Sequence, residues 1–335
     1  MQSWSRNVKA RVHGIQHRAV SLAALCIALI GGPAFAQTNE YPNRPVRVLV
    51  AFTAGGTTDI LARGVSQKLT ERLKQTFVVD NKPGGGGNIG TEMAARAAPD
   101  GYTLIVNSVG PIAVNPSLYK KLNINPLVDL VPIVQIADVP NVLVVHPSVP
   151  ATTLDEFVAY GKANPGKLNY GSTGIGTSSH LSGFVLSQRA GVETVHVPYK
   201  GVDALNDLLT GRVQFMFATI PSVIQHIHAG KLRALAVSSV RRSRSLPDVP
   251  TVADNGFPGF EAGSWFGFFA PNGTPQPVMA EINKAVNEVL PSLEAQMVRE
   301  GADPVGGTAM QFAQFVKKEY EKWKVIVQDS KATAE

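Results

Sequence analysis

The chain has 335 residues and a single cysteine, with 31 lysines and arginines against 25 acidic residues. Four of the basic residues precede residue 37, which leaves 27 against 25, and this balance argues against a nucleic-acid-binding protein. The cysteine, Cys26, lies in the same leader segment. We therefore expect neither a disulfide nor thiol chemistry in the rest of the chain, which is long enough to bury a core in one large domain or two.

The first 36 residues have the pattern of a secretory signal peptide. A basic segment, 1–18, precedes an apolar run, 19–32, and an A-x-A cleavage signal ends at Ala36. The apolar run is shorter than the roughly 20 residues that a transmembrane helix needs. The residue before Cys26 is Leu25, whereas a lipid anchor needs a small residue there. We expect cleavage after Ala36 and export of the protein.

The segment after the leader alternates between strand and helix patterns. Runs of β-branched residues bounded by turns predict strands, and apolar residues at helical spacing predict helices. In chain order these are the strand 45–52, the helix 58–73, the strand 76–81, the helix 89–98 and the strand 102–108. This alternation predicts an α/β fold with a mainly parallel sheet and helices on both faces.

A second α/β unit follows. Its predicted strands cover 142–151, 168–172, 194–199, 213–220 and 232–239, and its predicted helices cover 154–163, 178–190 and 202–211. A loop rich in proline and glycine, 245–260, then leads to a strand, 265–271, and two amphipathic helices, 277–300 and 308–330. Two strand-like segments, 142–149 and 264–270, bracket the middle unit. They predict two α/β lobes that are joined by a two-stranded hinge and separated by a cleft.

The loop FTAGGTTD at 52–59 has the composition of a ligand-binding turn. Its glycines let the backbone approach a ligand closely, and the free N–H groups at a helix start favour an anion. Thr57 or Thr58 can cap the helix, and Asp59 lies in its first turn. Loops at the carboxyl ends of parallel strands are where α/β proteins bind ligands. A ligand contact is therefore favoured over an ordinary capped turn.

The loop GSTGIGTSSHL at 171–181 also joins a strand to a helix. It contains five hydroxyl side chains among three glycines, and no lysine or arginine. Such neutral donors can hold a carboxylate together with backbone N–H groups, whereas the order of residues excludes a nucleotide P-loop. Other strand ends supply further candidates for the same cleft: Asn107, Ser108, Tyr199 and Thr219.

Signals for catalysis and for metal binding are weak. The sequence has no G-x-S-x-G elbow and no H-E-x-x-H motif. His226 and His228 are two residues apart and do not share a helix face. We expect no catalytic residue, no metal site and no cofactor. A secreted hydrolase is an alternative, with Ser172 or Ser178 as nucleophile and His180 as base.

The run KPGGGGNIG at 82–90 places Gly85, Gly87 and Gly90 in the spacing of a dinucleotide-binding fingerprint. That fingerprint follows the first strand of its fold and has an acid about 20 residues further on. Here the run follows the second predicted strand, and the nearest acid past the helix is Asp100. We interpret the glycines as a tight turn between strand and helix, at the rim of the cleft.

Several long segments are similar to one known family. They include YPNRPVRVLVAFTAGGTTDILAR, NKPGGGGNIGTEMAARAAPDGYTL, LVVHPSVPATTLDEFVAYGKANPGKLNYGSTGIGTSSHL and LPDVPTVADNGFPGFEAGSWFGFFAPNGTP. These motifs resemble the tripartite tricarboxylate transporter substrate-binding proteins, the Bug family, over essentially all of the chain after the leader. The resemblance implies a type II periplasmic binding-protein fold, in which two α/β lobes close on a small carboxylate, and it leaves the ligand unidentified.

The resemblance also implies that the loops at 52–59 and 171–181 face each other across the cleft and hold a carboxylate group, partly through bridging water. Thr53 departs from the commoner proline, and Val109-Gly110-Pro111 departs from the usual segment, so transferring a relative's ligand is unsafe. The positions that match the family motif are Phe52, Ala54, Gly55, Gly56, Asp59, Ser172, Thr173, Gly176, Thr177 and His180.

These observations predict a solute-binding protein without enzymatic activity that captures a small organic mono- or dicarboxylate and delivers it to integral-membrane transporter subunits. The absence of arginine clamps, with Phe52 and Tyr199 nearby, favours an aromatic or apolar-bodied acid. We expect a monomer, with 37–141 and 265–335 as lobe 1 and 142–264 as lobe 2. A ligand-sensing partner of a signalling receptor would use the same fold and cleft and is a second alternative.

Overall fold

The structure, a computed structural model, describes residues 41–330 and Ala334. The predicted signal peptide lies outside these residues. A six-stranded mixed sheet carries the first lobe, with the strand order β11-β4-β10-β3-β1-β2. Its strands are β1 (Val46–Val50), β2 (Phe77–Asn81), β3 (Thr103–Ser108), β4 (Leu130–Val139), β10 (Ser264–Pro271) and β11 (Asp303–Gly306).

The first three strands of this sheet are parallel, and β4 runs in the same direction, whereas β10 and β11 run against them. β1 pairs with β2 and β3 in parallel, whereas β10 pairs antiparallel with β3 and with β4. The helices of the first lobe are α1 (Thr57–Leu73), α2 (Asn88–Ala95), α3 (Asn115–Leu118), α4 (Pro126–Asp129), α9 (Gln276–Arg299) and α10 (Ala309–Ser330). The carboxyl ends of β1 and β3 therefore lie at the same edge of the sheet, where β1 runs into the 52–59 loop.

Helices cover both faces of the six-stranded sheet because successive strand side chains point to opposite sides. Val46, Val48 and Val50 lie in a core cluster that includes residues of α1 and α9. Leu49, between them, lies in a different cluster that includes residues of α2 and α10. All four side chains are fully buried. Burial on both faces explains why the strand reads as a continuous β-branched run.

The last helix, α10, is anchored to the hinge-side end of the first sheet. Trp323 of α10 is fully buried, and Trp265 of β10 is 2% exposed. The buried carboxylate of Glu319 accepts a hydrogen bond from the Nε1 of each indole, at 3.0 Å from Trp265 and 3.1 Å from Trp323. The two predicted C-terminal helices thus complete the core of the first lobe.

A five-stranded sheet carries the second lobe, in the order β7-β6-β8-β5-β9. β6 is parallel to β7 and β8, and β5 is antiparallel to β8 and β9. Its strands are β5 (Asn141–Val145), β6 (Leu168–Ser172), β7 (Thr194–Pro198), β8 (Phe215–Thr219) and β9 (Arg233–Val237), and its helices are α5 (Leu154–Ala163), α6 (Ser178–Ala190), α7 (Asp203–Leu209) and α8 (Ile220–His228).

Two adjacent segments connect the sheets. Outward, β4 runs into β5 through Pro140, and on the return, residues 262–264 lead into β10. Ser264 pairs with Val139, and the Asn141 side chain donates to the Ala262 carbonyl oxygen at 2.8 Å. The predicted α/β fold with two lobes and a two-stranded connection is confirmed. The predicted hinge segments, 142–149 and 264–270, extend from this connection into β5 and β10, which belong to opposite sheets.

Some elements differ from the sequence prediction. β4 and β11 were not predicted, because Pro132 and Pro304 interrupt their patterns and Pro reads as a break within a strand. α8 was not predicted either, since Ile220 was read as the end of the preceding strand. Strand β5 ends at Val145, and the rest of the predicted segment 142–151 is the proline-containing connection that follows the strand. No helix within the described residues is long and apolar enough to span a membrane.

Candidate functional site

A cavity lies between the two lobes and has a volume of about 90 Å³. A single water needs a cavity of at least about 10–15 Å³, so this cavity has room for water or for a small organic molecule. Among the described residues, those that line it include no lysine, arginine, histidine, aspartate or glutamate. Eight of the predicted site residues line it: Phe52, Thr53, Gly55, Gly56, Ser108, Thr173, Ser178 and Thr219.

The other eight predicted residues lie outside the lining, and several of them support the loops that form it. They are Ala54, Asp59, Asn107, Ser172, Gly176, Thr177, His180 and Tyr199.

Asp59 holds the 52–59 loop together. Its buried carboxylate accepts hydrogen bonds from the Gly55 N–H, from Arg63 Nε and from Asn81 Nδ2, each at 2.9 Å. Burial raises the pKa of Asp59, but the hydrogen bonds from Arg63, Gly55 and Asn81 outweigh burial and keep that pKa below its ordinary value. Both oxygens are thus used inside the first lobe, and the loop presents Gly56 and the start of α1 to the cavity.

Some side chains of the 171–181 loop stabilise the second lobe, and others line the cavity. Thr177 is the N-cap of α6, because its hydroxyl accepts a hydrogen bond from the His180 N–H. Ser172 is fully buried, and its Oγ lies 2.7 Å from His196 Nε2. Thr173, Ser178 and Ser179 line the cavity.

Ser179 is a cavity residue that the sequence prediction did not select. It is 4% exposed, and its Oγ has no hydrogen-bond partner within the described residues. It lies in the first turn of α6, where free backbone N–H groups favour an anion. A buried hydroxyl without a partner is costly, and Ser179, unlike the similarly unpartnered Ser66, lines the cavity.

Two histidines stack beneath the second loop. The rings of His180 and His196 are 4.0 Å apart with an interplanar angle of 18°, and Tyr170 stacks on His196 at 4.8 Å. Burial lowers the pKa of His180 to about 4. Burial and the neighbouring His180 lower the pKa of His196 to about 3. Both rings are therefore neutral near pH 7, and His180 Nδ1 accepts a hydrogen bond from the Gly176 N–H at 3.2 Å.

The geometry disfavours the hydrolase alternative. Of the two candidate serines, Ser172 has its hydroxyl near a histidine nitrogen, and that nitrogen belongs to His196 and not to the proposed His180. Ser172 is fully buried and does not line the cavity. Ser178 lines the cavity, but its Oγ is directed to Asn141 Oδ1 at 3.5 Å. A nucleophile needs a base and an open path to its substrate, and neither serine combines the two.

The lobes touch each other around the cavity. The hydroxyl oxygens of Thr57 and Thr219 are 2.7 Å apart, and the Val202 N–H donates to Thr53 Oγ1 at 3.2 Å. Each pair joins the first lobe to the second. The structure therefore represents a closed arrangement of the two lobes.

Asn141, at the hinge, is a second lining residue that the sequence did not reveal. It is fully buried, and its Nδ2 donates to Ala262 and to Ser182 Oγ. Its role depends on the meeting of distant segments, and nothing in the local sequence indicates it. Apart from the predicted Phe52, the apolar side chains of the lining were not predicted either, and they are Val202, Leu205, Met216, Ala218 and Phe266.

Asn107 and Tyr199 have partners within their own lobes. The Asn107 side chain is fully buried and donates to Thr91 Oγ1 at 2.8 Å, while Tyr199 donates to Asp207 at 2.8 Å. No group of three or more His, Cys, Asp or Glu residues in the described part of the chain could hold a metal ion.

Comparisons with known proteins agree with this architecture. Residues 61–331 match the family model for the "Tripartite tricarboxylate transporter family receptor". Protein BugT of Bordetella pertussis is 38% identical over 320 residues, which cover 94% of this chain and 98% of BugT.

Two solved structures of ligand-bound proteins are similar to this one. Rpa4515 of R. palustris, solved with adipate, has a TM-score of 0.86 and 36% identity, over 88% of this chain and 99% of that one. MatC from Rhodopseudomonas palustris, solved with bound malate, has a TM-score of 0.82 and 33% identity, over 86% of this chain and all of that one. The predicted periplasmic binding-protein fold is confirmed, and the chain belongs to the tripartite tricarboxylate transporter receptor family.

Proposed function

We propose that this protein captures a small organic carboxylate in the cavity between its lobes and delivers it to the membrane subunits of a tripartite carrier. The observation that carries the proposal is the convergence of two helix starts, those of α1 and α6, on one uncharged cavity lined by hydroxyl groups. Helix N-termini attract anions through their free N–H groups and their dipoles. The relatives that were solved with adipate and malate support the choice of ligand class.

The lining favours an acid over other small solutes. A cation would find no acidic side chain in the lining and would face two positive helix ends. An acid finds hydroxyl groups in the lining, which includes Ser179, whose Oγ has no hydrogen-bond partner within the described residues. The apolar side chains Leu205, Met216 and Phe266 suit the carbon body of the acid. A volume of about 90 Å³ limits that body to a small molecule.

Ligand capture is coupled to closure in this proposal. The loops at 52–59 and 171–181 belong to different lobes, so a ligand touches both only when the lobes are closed. The ligand then shifts the population toward the closed state, and the size of the shift is set by the difference between the ligand's affinities for the closed and open states. We propose 37–141 with 265–335, and 142–264, as the two bodies that move. The proposed working form is a monomer in the periplasm after cleavage behind Ala36.

The protein acts without catalysis in this proposal, because Ser172 is fully buried and does not line the cavity, so Ser172 and His196 supply no accessible nucleophile–base pair. A ligand-sensing role would use the same cavity. A membrane carrier encoded beside this gene would favour transport, and a histidine-kinase neighbour would favour sensing.

The test is a thermal-unfolding screen against a library of aliphatic, hydroxylated and aromatic acids, with sugars and amines as controls. A ligand that binds only the folded state raises the melting temperature as its concentration exceeds its dissociation constant. We expect at least one acid to raise it and the matching amide or amine to leave it unchanged. The proposal fails if a sugar or an amine stabilises the protein and no acid does.

A further inference from the structure

The glycine run at residues 84–87 of the first lobe lies against a loop of the second lobe, which the sequence does not indicate. Residues 84–87 lie between β2 and α2, and each glycine has a positive φ, from 58° to 131°. The run does not line the cavity. It meets the second lobe instead, at Gly174 and Ile175 of the loop that carries Thr173, Ser178 and Ser179 to the cavity.

The two segments approach each other backbone to backbone. A Cβ added to Gly86 would lie 2.3 Å from the carbonyl oxygen of Ile175. A Cβ added to Gly174 would lie 3.3 Å from the Cα of Gly86. Tyr119, from the first lobe, donates a hydrogen bond to the same Ile175 oxygen at 3.4 Å. We call the approach of Gly86 to Gly174 and Ile175 the closure contact.

A side chain of the first lobe, Asn115, supports the closure contact. Asn115 is fully buried, and its Nδ2 donates to Asn88 Oδ1 at 2.6 Å and to the Gly86 carbonyl oxygen at 3.3 Å. A Cβ on Gly176 would lie 2.1 Å from Asn115 Oδ1, so this glycine is needed where the lobes meet. Gly176, a predicted ligand residue, therefore lies at the lobe interface.

We propose that Gly86 is a positioning residue for closure: its missing side chain lets the 171–181 loop reach the first lobe and brings the start of α6 into the cavity. A backbone carbonyl cannot move aside as the end of a flexible side chain can, so any side chain at this position holds the lobes apart. The contact joins residues of different lobes and exists only when they are closed. Its effect on ligand affinity rests on the proposed function, whereas its effect on closure does not.

The chain offers a matched control next to Gly86. Gly85 has a φ of 58° and Gly86 a φ of 61°, so alanine would meet nearly the same left-handed φ at both positions. A Cβ on Gly85 would meet only Asn88 and Ile89 of its own lobe, at 3.6 and 4.0 Å. Gly85→Ala therefore reports the effect of a left-handed alanine in the run, and the difference between the two variants reports the closure contact together with the approach of the Gly86 Cβ to the Tyr119 hydroxyl, at 3.0 Å.

Closure can be measured without a ligand by disulfide trapping. The hydroxyl oxygens of Thr57 and Thr219 are 2.7 Å apart across the cleft, so cysteines at these positions come within bonding reach when the lobes close. The full chain with Cys26→Ser, Thr57→Cys and Thr219→Cys serves as parent, because Cys26 is its only natural cysteine. The rate of trapping under a mild oxidant follows the closed fraction when the lobes open and close rapidly.

We expect Gly86→Ala to slow trapping about tenfold or more and Gly85→Ala to leave the rate near that of the parent, because a change in closed fraction changes the rate in proportion. Chemical unfolding of the two variants checks that their free energies of unfolding fall by similar amounts. In the chain without added cysteines, an acid from the screen should bind Gly86→Ala about tenfold or more weakly, since apparent affinity falls with the competent fraction.

Equal trapping rates in Gly86→Ala and Gly85→Ala would overturn the proposal, as would a parent that forms no disulfide. If no acid binds the chain without added cysteines but Gly86→Ala still slows trapping, the closure contact stands and the carboxylate function fails. If acids bind but both variants trap and bind alike, the function stands and the closure contact fails.

Discussion

At the scale of single residues, two buried hydroxyl groups allow an effect on the stability of the folded protein to be distinguished from an effect on ligand binding. Ser179 and Ser66 are 4% and 2% exposed, and neither Oγ has a hydrogen-bond partner in the described part of the chain. Ser179 lines the cavity, whereas Ser66 lies on the buried face of α1 away from it. An unpartnered buried hydroxyl destabilises the folded protein, so both positions are suboptimal for stability alone.

We expect Ser179→Ala to weaken ligand binding by about 1.5–3 kcal/mol, the range for a hydrogen bond to a charged group. The free energy of unfolding without ligand should stay equal or rise, because an unpartnered hydroxyl is removed. Isothermal titration and urea unfolding measure the two effects. Ser66→Ala is the control, with the same effect on stability and none on binding. Unchanged affinity in Ser179→Ala would remove this hydroxyl from the site.

Asp59 illustrates a residue that acts on the site through the backbone. We expect Asp59→Ala to destabilise the protein by about 1–3 kcal/mol, because the Gly55 N–H and Asn81 Nδ2 lose a buried acceptor. Arg63→Ala should cost less, about 0–1 kcal/mol, since the Arg63 side chain is 53% exposed. Urea unfolding of both variants checks this order, and an equal loss in both would contradict it.

At the scale of elements, the N-cap of α6 can be compared with the N-cap of α5. Thr177 and Thr153 each accept a hydrogen bond from the backbone N–H three residues on, His180 and Glu156 respectively. Only α6 starts at the cavity, with Ser178 and Ser179 in its first turn. The two caps are chemically alike and differ in what the helix start faces.

Thr177→Ala and Thr153→Ala should each lower the free energy of unfolding by about 1 kcal/mol, the usual value for loss of a threonine cap. Only Thr177→Ala should also weaken ligand binding, because it loosens the turn that presents Ser178 and Ser179. Parallel unfolding and binding titrations measure this. A similar loss of affinity in both variants would mean that binding follows overall stability rather than the start of α6.

The sequence predicted the two loops of the site but not which of their side chains line the cavity. Strand and helix periodicity located both loops, because hydrophobic patterning is local. Which hydroxyl-bearing residues line the cavity was not predictable: Ser172 and Thr177 form hydrogen bonds within their own loop, whereas Ser179 lines the cavity. Asn141 enters the site only because the two connecting segments meet, and such long-range packing leaves no local pattern.

At the scale of the whole molecule, the stacked histidines make the free energy of unfolding depend on pH. The pKa values of His180 and His196 are lowered in the folded protein, to about 4 and about 3, mainly by burial. An unfolded histidine has a pKa of about 6.5, so between pH 6.5 and about 4 the unfolded state binds more protons. The contribution of the two rings is therefore complete above pH 6.5 and decreases as the pH falls toward 4.

We expect the free energy of unfolding to fall below pH 6.5 by up to about 1.4 kcal/mol per pH unit for each histidine. The double variant His180→Gln, His196→Gln should reduce this slope, and His228→Gln, at an exposed position, should not. Unfolding curves at pH 7, 6 and 5 give the slopes. A double variant with the slope of the parent would show that other groups cause the acid sensitivity.

The shared carboxylate of Glu319 has an optical consequence. The chain has three tryptophans, and Trp4 lies in the predicted leader. The exported form would then contain only Trp265, beside the hinge residue Ser264, and Trp323, both hydrogen-bonded to Glu319. Indole emission depends on the hydrogen bonds and field around the ring, so rotation at the hinge should change the intrinsic fluorescence. The closing of this protein on a ligand can then be followed in real time without an attached dye.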